Sequence, residues 1–395
     1  MRYIVVIILI FMVESCSGQM DNLRTGAEQL EKIIPLLGEK NLAIVANQTS
    51  VVNGVHLVDT LLSLSEIRFV IRKVFAPEHG FRGDIDDGVA VSDETDPSTG
   101  IPIVSLYGRH KKPTAEDLAG VDLVVFDIQD VGTRFYTYIS TLHYVMEACA
   151  ENEVPLLVLD RPNPNDGFID GPLLEPQFSS FVGMHPIPVV YALTIGEVAM
   201  MINGEEWLRE GVQCNLTVIP CANYYHGREY ALPVKPSPNL PNDHAIRIYP
   251  STCFFEGTVI SEGRGTLMPF EVYGHPDLPG SFSFVPEGIE GMSMYPKLKG
   301  ETCYGEDLRG FVPDEGWSRI ELRWLLDAYQ KFPDKKNFFL PFFESLAGTD
   351  RLRQQIIAGW SEKQIRASWQ KDLEKFREIR KNYLIYEDGF SGNKD

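Results

Sequence analysis

Five short apolar runs govern what this chain can fold into. NLAIVANQT from Asn41, IRFVIRKVFA from Ile67, IPIVSLYG from Ile101, VDLVVFDIQD from Val121 and VPLLVLDRP from Val154 are nearly unbroken stretches of aliphatic and aromatic side chains. A strand with one wet face alternates apolar and polar residues; a continuous run means burial on both faces, as in a parallel sheet. Between the runs lie helical patterns, VHLVDTLLSL and YISTLHYVMEACAEN. In the second, Ile139, Leu142, Val145, Met146 and Cys149 recur at helical spacing and form one apolar stripe. Strand and helix in alternation, joined by right-handed crossovers, predict an α/β fold with a Rossmann-like, doubly wound, mostly parallel sheet. No GxGxxG or GxxxxGK[ST] follows any run, so no nucleotide cofactor is expected.

LTIGEVAMMINGEEWL adds a helix and CNLTVIPCANY a further strand before the texture changes. LPVKPSPNLPN, with four prolines in eleven residues, cannot be regular secondary structure. A length of 395 residues accommodates two domains. The boundary is placed near Tyr230, giving a first domain over residues 20–230 and a smaller α+β domain over 231–395. In the latter, SEKQIRASWQKDLEKFREIRKNYL predicts a long helix capped by Ser361 with a solvated charged face.

The formal charge of −19 makes nucleic acid an unsuitable partner and would repel an anionic substrate unless a local basic pocket receives it. At the N-terminus, MRYIVVIILIFMVESC has one positive charge and an apolar run too short to span a bilayer. It predicts a signal peptide over residues 1–19 with a lipobox-like VESC. Export to the periplasm follows, with membrane attachment only through a lipid on Cys16. The other cysteines, Cys149, Cys214, Cys221, Cys253 and Cys303, are scattered without zinc-type spacing. Buried free thiols account for them better than a Cys214–Cys221 pair.

In open α/β sheets ligands sit outside the carboxyl ends of the strands. Here those ends are rich in polar groups. VFAPEHGFRGD stops an apolar run at Pro77 and sets Glu78, His79 and Arg82 among glycines; VVFDIQDVGTRFYTY supplies Asp127, Gln129, Asp130, Arg134 and Tyr136; LLVLDRPNP supplies Asp160, Arg161 and Asn163. Asp127 is better placed for a structural role, whereas Asp130 lies nearer the open edge. Downstream, CFFEGTVISEGRGTLMPFE carries Glu256, Glu262 and Arg264, the last between two glycines that would let the backbone approach a ligand, although an internal Glu–Arg bridge is the simpler alternative. There is no GxSxG elbow and no HExxH, and no familiar spacing supports a metal site. Carboxylates, a histidine and arginines fit acid/base hydrolysis of a polar substrate. Glu78 can serve as proton donor in glycoside cleavage if burial raises its pKa.

With PEHGFRG, IPIVSLYG, VVFDIQDVGTRFYTYISTL, LVLDRPNP, KPSPNLPN and FEGTVISEGRGTLMPFE in this order, the chain resembles the exo-β-N-acetylmuramidases of the NamZ type from about Leu30 to the C-terminus. The resemblance implies a Rossmann-like catalytic domain over residues 20–230, a smaller domain over 231–395 that closes the cleft, and removal of terminal N-acetylmuramic acid from the non-reducing end of peptidoglycan fragments, for cell-wall turnover or recycling. It makes muramyl saccharides the expected partner, with no cofactor, and Glu78 the general acid/base. The second catalytic group stays open among Asp130, Asp160, Glu262 and the substrate's own acetamido group. Arg82, Arg134, Arg161 and Arg264 are then candidates for the lactyl carboxylate, because guanidinium binds carboxylate in a two-pronged fit. His79, Gln129, Tyr136, Asp160 and Asn163 complete the expected substrate-binding set. A non-hydrolytic muramyl-binding protein and a metal-dependent hydrolase or deacetylase are the alternative classes.

Overall fold

The computed structural model describes residues 22–64, 66–78, 80–83 and 94–389. Cys16 and His79 lie outside the described residues. In chain order the first half supplies β1 (Asn41–Ala46), β2 (Val51–Val52), β3 (Val55–His56), β4 (Val70–Ala76), β5 (Glu94–Thr95), β6 (Pro102–Ser105), β7 (Leu123–Asp127), β8 (Leu156–Leu159) and β9 (Leu216–Ile219). All but β2 and β3 form one sheet in the order β5-β6-β4-β1-β7-β8-β9. It is parallel throughout, except that edge strand β5 runs antiparallel to β6.

The unbroken apolar runs have a direct explanation in how this sheet is covered. Ala43, Val45, Phe75, Val124, Phe126, Leu156 and Val158 face one core, together with Ile139, Leu142 and Met146 of the helix Tyr138–Glu151. Their neighbours Leu42, Ile44, Val74, Leu123, Val125, Leu157 and Leu159 face the other, with Ile33, Leu37, Leu57 and Leu61 from the helices Leu30–Leu37 and Leu57–Leu62. Successive strand residues point to opposite faces, so every position must be apolar. One expected element starts late. Val55 and His56 pair with Val52 and Val51 in a two-residue hairpin whose central Asn53 and Gly54 both have positive φ, the pairing that an Asn-Gly turn favours. The helix therefore begins at Leu57.

The second half forms a three-stranded antiparallel sheet, β10 (Val272–His275), β11 (Phe282–Phe284) and β12 (Cys303–Asp307), in the order β10-β12-β11. Asn242, last residue of the proline-rich stretch, caps the helix Asp243–Thr252 by accepting from Ala245 N at 2.8 Å. The long helix spans Glu362–Arg380, and Ser361 caps it in a reciprocal box with Gln364. Cys149, Cys214, Cys221, Cys253 and Cys303 are buried free thiols.

Candidate active site

A cavity of about 540 Å³ opens where the carboxyl ends of the central strands meet the second half. Pro77 ends β4, and the next residue, Glu78, projects into this space. Thr137 Oγ1 donates to Glu78 Oε2 at 3.3 Å. Phe135, Tyr136 and Thr137, between β7 and its helix, form a second wall with Tyr138, the first residue of that helix. Tyr136 and Tyr138 pack edge to face at 4.8 Å, as do Tyr249 and Phe270. Tyr136 OH donates to Pro236 O at 2.8 Å, and Tyr138 OH accepts from Asn47 Nδ2 at 2.8 Å. Burial, and then the charge of Glu78, push the Tyr138 phenol well above its usual range. Ser237, Asn239 and Leu240 of the proline-rich stretch close another side.

The second half contributes Glu256, Glu262, Arg264 and Lys297. Glu262 is buried, with Lys297 Nζ 2.7 Å from Oε2 and Arg264 Nε 3.6 Å from Oε1. Lys297 Nζ also donates to the carbonyls of Phe255, Thr258 and Ile260, at 2.7, 3.1 and 2.5 Å. Arg264 sends Nε and Nη2 to Glu256 Oε1 at 2.9 and 2.7 Å and lies over the Phe270 ring. The internal Glu–Arg bridge thus exists, but inside the cavity. The glycines beside Arg264 have a different purpose from the expected one. A Cβ on Gly263 would strike Met268 O and one on Gly265 would strike Pro296 and Glu287 O, so both serve protein packing.

Of the expected site residues, the cavity brings together Glu78, Tyr136, Glu262 and Arg264. The other described strand-end groups lie outside the cavity lining and are engaged within the fold. Asp130 is buried, accepts from Tyr191 OH and from Gly132 N at 2.7 Å, and does not line the cavity. Burial pushes its carboxyl up to about 6. Asp160 accepts from Gly196 N at 2.8 Å and Thr194 Oγ1 at 2.7 Å at the start of the helix Ile195–Gly204, and from Tyr386 OH. Arg161 forms a buried bidentate pair with Asp127 at 2.6 and 2.9 Å. Asn163 bridges Leu193 O and Asn165 N, and Gln129 donates to the carbonyls of Asp130 and Pro162. Arg134 donates to four carbonyls, those of Pro172, Ile187, Leu346 and Ala347. Arg82 is held by Asp59 at 2.8 Å and Asp96 at 2.9 Å.

Thr137, Tyr138, Ser237, Asn239, Tyr249 and Lys297 were not singled out by the sequence. The one signal available was the proline-rich stretch, a rigid irregular segment in a chain otherwise made of regular elements.

Two family models cover the chain: exo-beta-N-acetylmuramidase NamZ, N-terminal, over residues 42–244, and exo-beta-N-acetylmuramidase NamZ, C-terminal, over 247–386. The chain is 39% identical over 375 residues to the peptidoglycan beta-N-acetylmuramidase NamZ of Bacillus subtilis (strain 168), covering 88% of this chain and 87% of that protein. Two crystal structures of DUF1343 family proteins from Bacteroides fragilis NCTC 9343 have the same fold. One is 44% identical with a TM-score of 0.85, covering 93% of this chain and 100% of the other. The second is 30% identical with a TM-score of 0.79, covering 92% and 99%.

Proposed function

The chain belongs to the exo-β-N-acetylmuramidase NamZ family, and from that premise we propose how its cavity acts. The chain is a glycoside hydrolase of peptidoglycan, and the cavity receives the non-reducing terminal N-acetylmuramic acid. Glu78 donates the proton to the leaving oxygen, a step that glycoside cleavage requires of one carboxyl group. Glu262, beside Lys297 and Arg264, is the second carboxylate and faces the charge that develops on the sugar ring. The observation that carries this reading is the meeting of Glu78 and Glu262, contributed by opposite halves of the chain, in one aromatic-walled cavity.

Arg264 is the one arginine of the four candidates among the cavity-lining residues, and we assign it the lactyl carboxylate, which shares the guanidinium with Glu256. A chromogenic β-N-acetylmuramide tested beside the matching N-acetylglucosaminide decides the reaction: cleavage of the muramide supports the assignment, and cleavage of only the glucosaminide, or of neither, overturns it. In the same assay Arg264→Ala is expected to lose about 10- to 150-fold more on the muramide than on any residual glucosaminide cleavage, the worth of a charged hydrogen bond; the loss common to both is what Arg264 contributes through Glu262. The N-terminal sequence further supports export and lipid attachment at Cys16. Cys16→Ser should then shift the protein out of the membrane fraction or leave the precursor uncut, and unchanged fractionation and mass would refute this.

A further inference from the structure

We propose that Tyr295 is a stacking platform for the sugar on the leaving-group side of the scissile bond. This rests on the reading of the cavity as an exo-acting muramidase site. An exo enzyme encloses only the terminal sugar, so the next sugar must lie at the mouth, against whatever the rim presents. Tyr295 lines the cavity and is nevertheless 89% exposed. A lone exposed aromatic needs no explanation in general, but this one is held unusually firmly from behind.

Two residues on, Lys297 Nζ is fixed by three backbone carbonyls and Glu262. Pro296 packs so closely on Gly265 that a Cβ there would lie 2.4 Å from Pro296 Cγ. A residue before proline has few backbone conformations open to it. On the other side, Ile289 and Ser293 close a tight turn, and Lys299 Nζ donates to Met294 O at 3.1 Å while lying 5.5 Å from the centre of the Tyr295 ring. The ring is thus presented to solvent from a backbone segment that is already ordered, so a ligand that covers it has only the ring's own side-chain torsions left to fix. The axial C–H face of a pyranose is apolar and matches an aromatic face; the next sugar of a peptidoglycan strand, an N-acetylglucosamine, has the shape and chemistry to cover it. The same contact discriminates leaving groups, because one with no face to stack gains nothing from it.

The test compares two muramides in the full-length enzyme: the disaccharide N-acetylmuramyl-β-1,4-N-acetylglucosamine, without any peptide, and β-N-acetylmuramyl fluoride, whose leaving group cannot stack. Tyr295→Ala is expected to lower kcat/KM on the disaccharide by roughly 3- to 10-fold, the range that aromatic packing supplies. Turnover of the fluoride and inhibition by free N-acetylmuramic acid should stay unchanged, and Tyr295→Phe should restore the disaccharide rate. Equal losses on both substrates would make Tyr295 part of the terminal-sugar wall, and no loss on either would leave the platform without effect; both overturn the proposal. A loss seen only when the substrate carries a peptide stem would also overturn it, in favour of a peptide contact. If the wild-type enzyme cleaves neither muramide, the muramidase reading itself fails, an outcome distinct from any change confined to the Tyr295 variants.

Discussion

At the residue scale, the mechanism proposed for the cavity rests on Glu78, which Thr137 contacts through one carboxylate oxygen. Replacing Glu78 by Gln keeps the shape and removes the transferable proton. Turnover on the disaccharide is expected to fall ~10²-fold or more, the usual worth of general acid catalysis, with a much smaller loss on an activated aryl muramide whose leaving group needs no proton. Equal losses on both would take the acid role away from Glu78. This residue was visible in the sequence because a strand that ends in Pro-Glu-His-Gly has no packing reason to do so. Asp130, Asp160 and Arg161 looked equally promising by the same rule and turned out to satisfy Tyr191, a helix start and Asp127. A strand end supplies polar groups both to a site and to the buried network beneath it, and only the partners distinguish them. Those partners are distant in sequence: Tyr386 reaches Asp160 across 226 positions. Lys297 was illegible for the same reason, since its purpose appears only when the carbonyls of Phe255, Thr258 and Ile260 converge on it.

At the scale of elements, the strands were the most legible part of the chain, because burial on both faces leaves a run with no polar interruption. The joints between elements were not, and one of them has a measurable signature. His226 is fully buried between Asp166 and Glu197, 3.1 Å from one and 3.0 Å from the other. Glu197 in turn accepts from Thr194 N at the start of the helix Ile195–Gly204 and from Ile385 N in the C-terminal segment, while Tyr224 OH donates to Asp166. Burial pulls the His226 pKa down, but its hydrogen bonds to Asp166 and Glu197 and the charge of Glu197 outweigh this and lift it from 6.5 to about 9. A group whose pKa is raised on folding binds its proton more tightly in the folded state. Its contribution is therefore complete below about pH 6.5 and is lost as pH rises through about 9. Urea midpoints should fall between pH 7 and 8.5, a window in which Asp130 and Asp160, raised to about 6, are already ionised and Arg134, lowered to about 9, is still mostly charged. His226→Gln should be less stable at pH 7 by ~3–5 kcal/mol, since it strands two buried carboxylates, and its midpoint should vary much less across that window. A variant as pH-dependent as the wild type would show that another group titrates.

At the scale of the whole molecule, one core is shared across the change of texture near Tyr230. The core on one face of the main sheet continues without a break into the second half: Val124 and Phe126 of β7 belong to the same cluster as Phe254, Phe270, Phe338 and Trp369. Arg134, 0% exposed, carries two of its hydrogen bonds to Leu346 O and Ala347 O, so the segment after β7 is riveted to the far half. Burial without a carboxylate partner brings this guanidinium down to about 9. The chain's end then returns to the first half, where Arg380 Nε donates to Ala192 O at 2.8 Å and Tyr386 OH reaches Asp160. These contacts tie the two halves of the chain to each other, which argues against a free hinge between two lobes. A preformed cavity is the expectation that follows, as suits an enzyme whose substrate offers a single terminal sugar. Two measurements follow. Thermal unfolding should be one transition, coincident by far-UV dichroism and by tryptophan fluorescence, and a fragment ending at residue 244 should not fold cooperatively on its own. Small-angle scattering should give the same radius of gyration with and without saturating N-acetylmuramic acid. A compaction on adding the sugar would mean that the halves do close on it and that the cavity is not preformed.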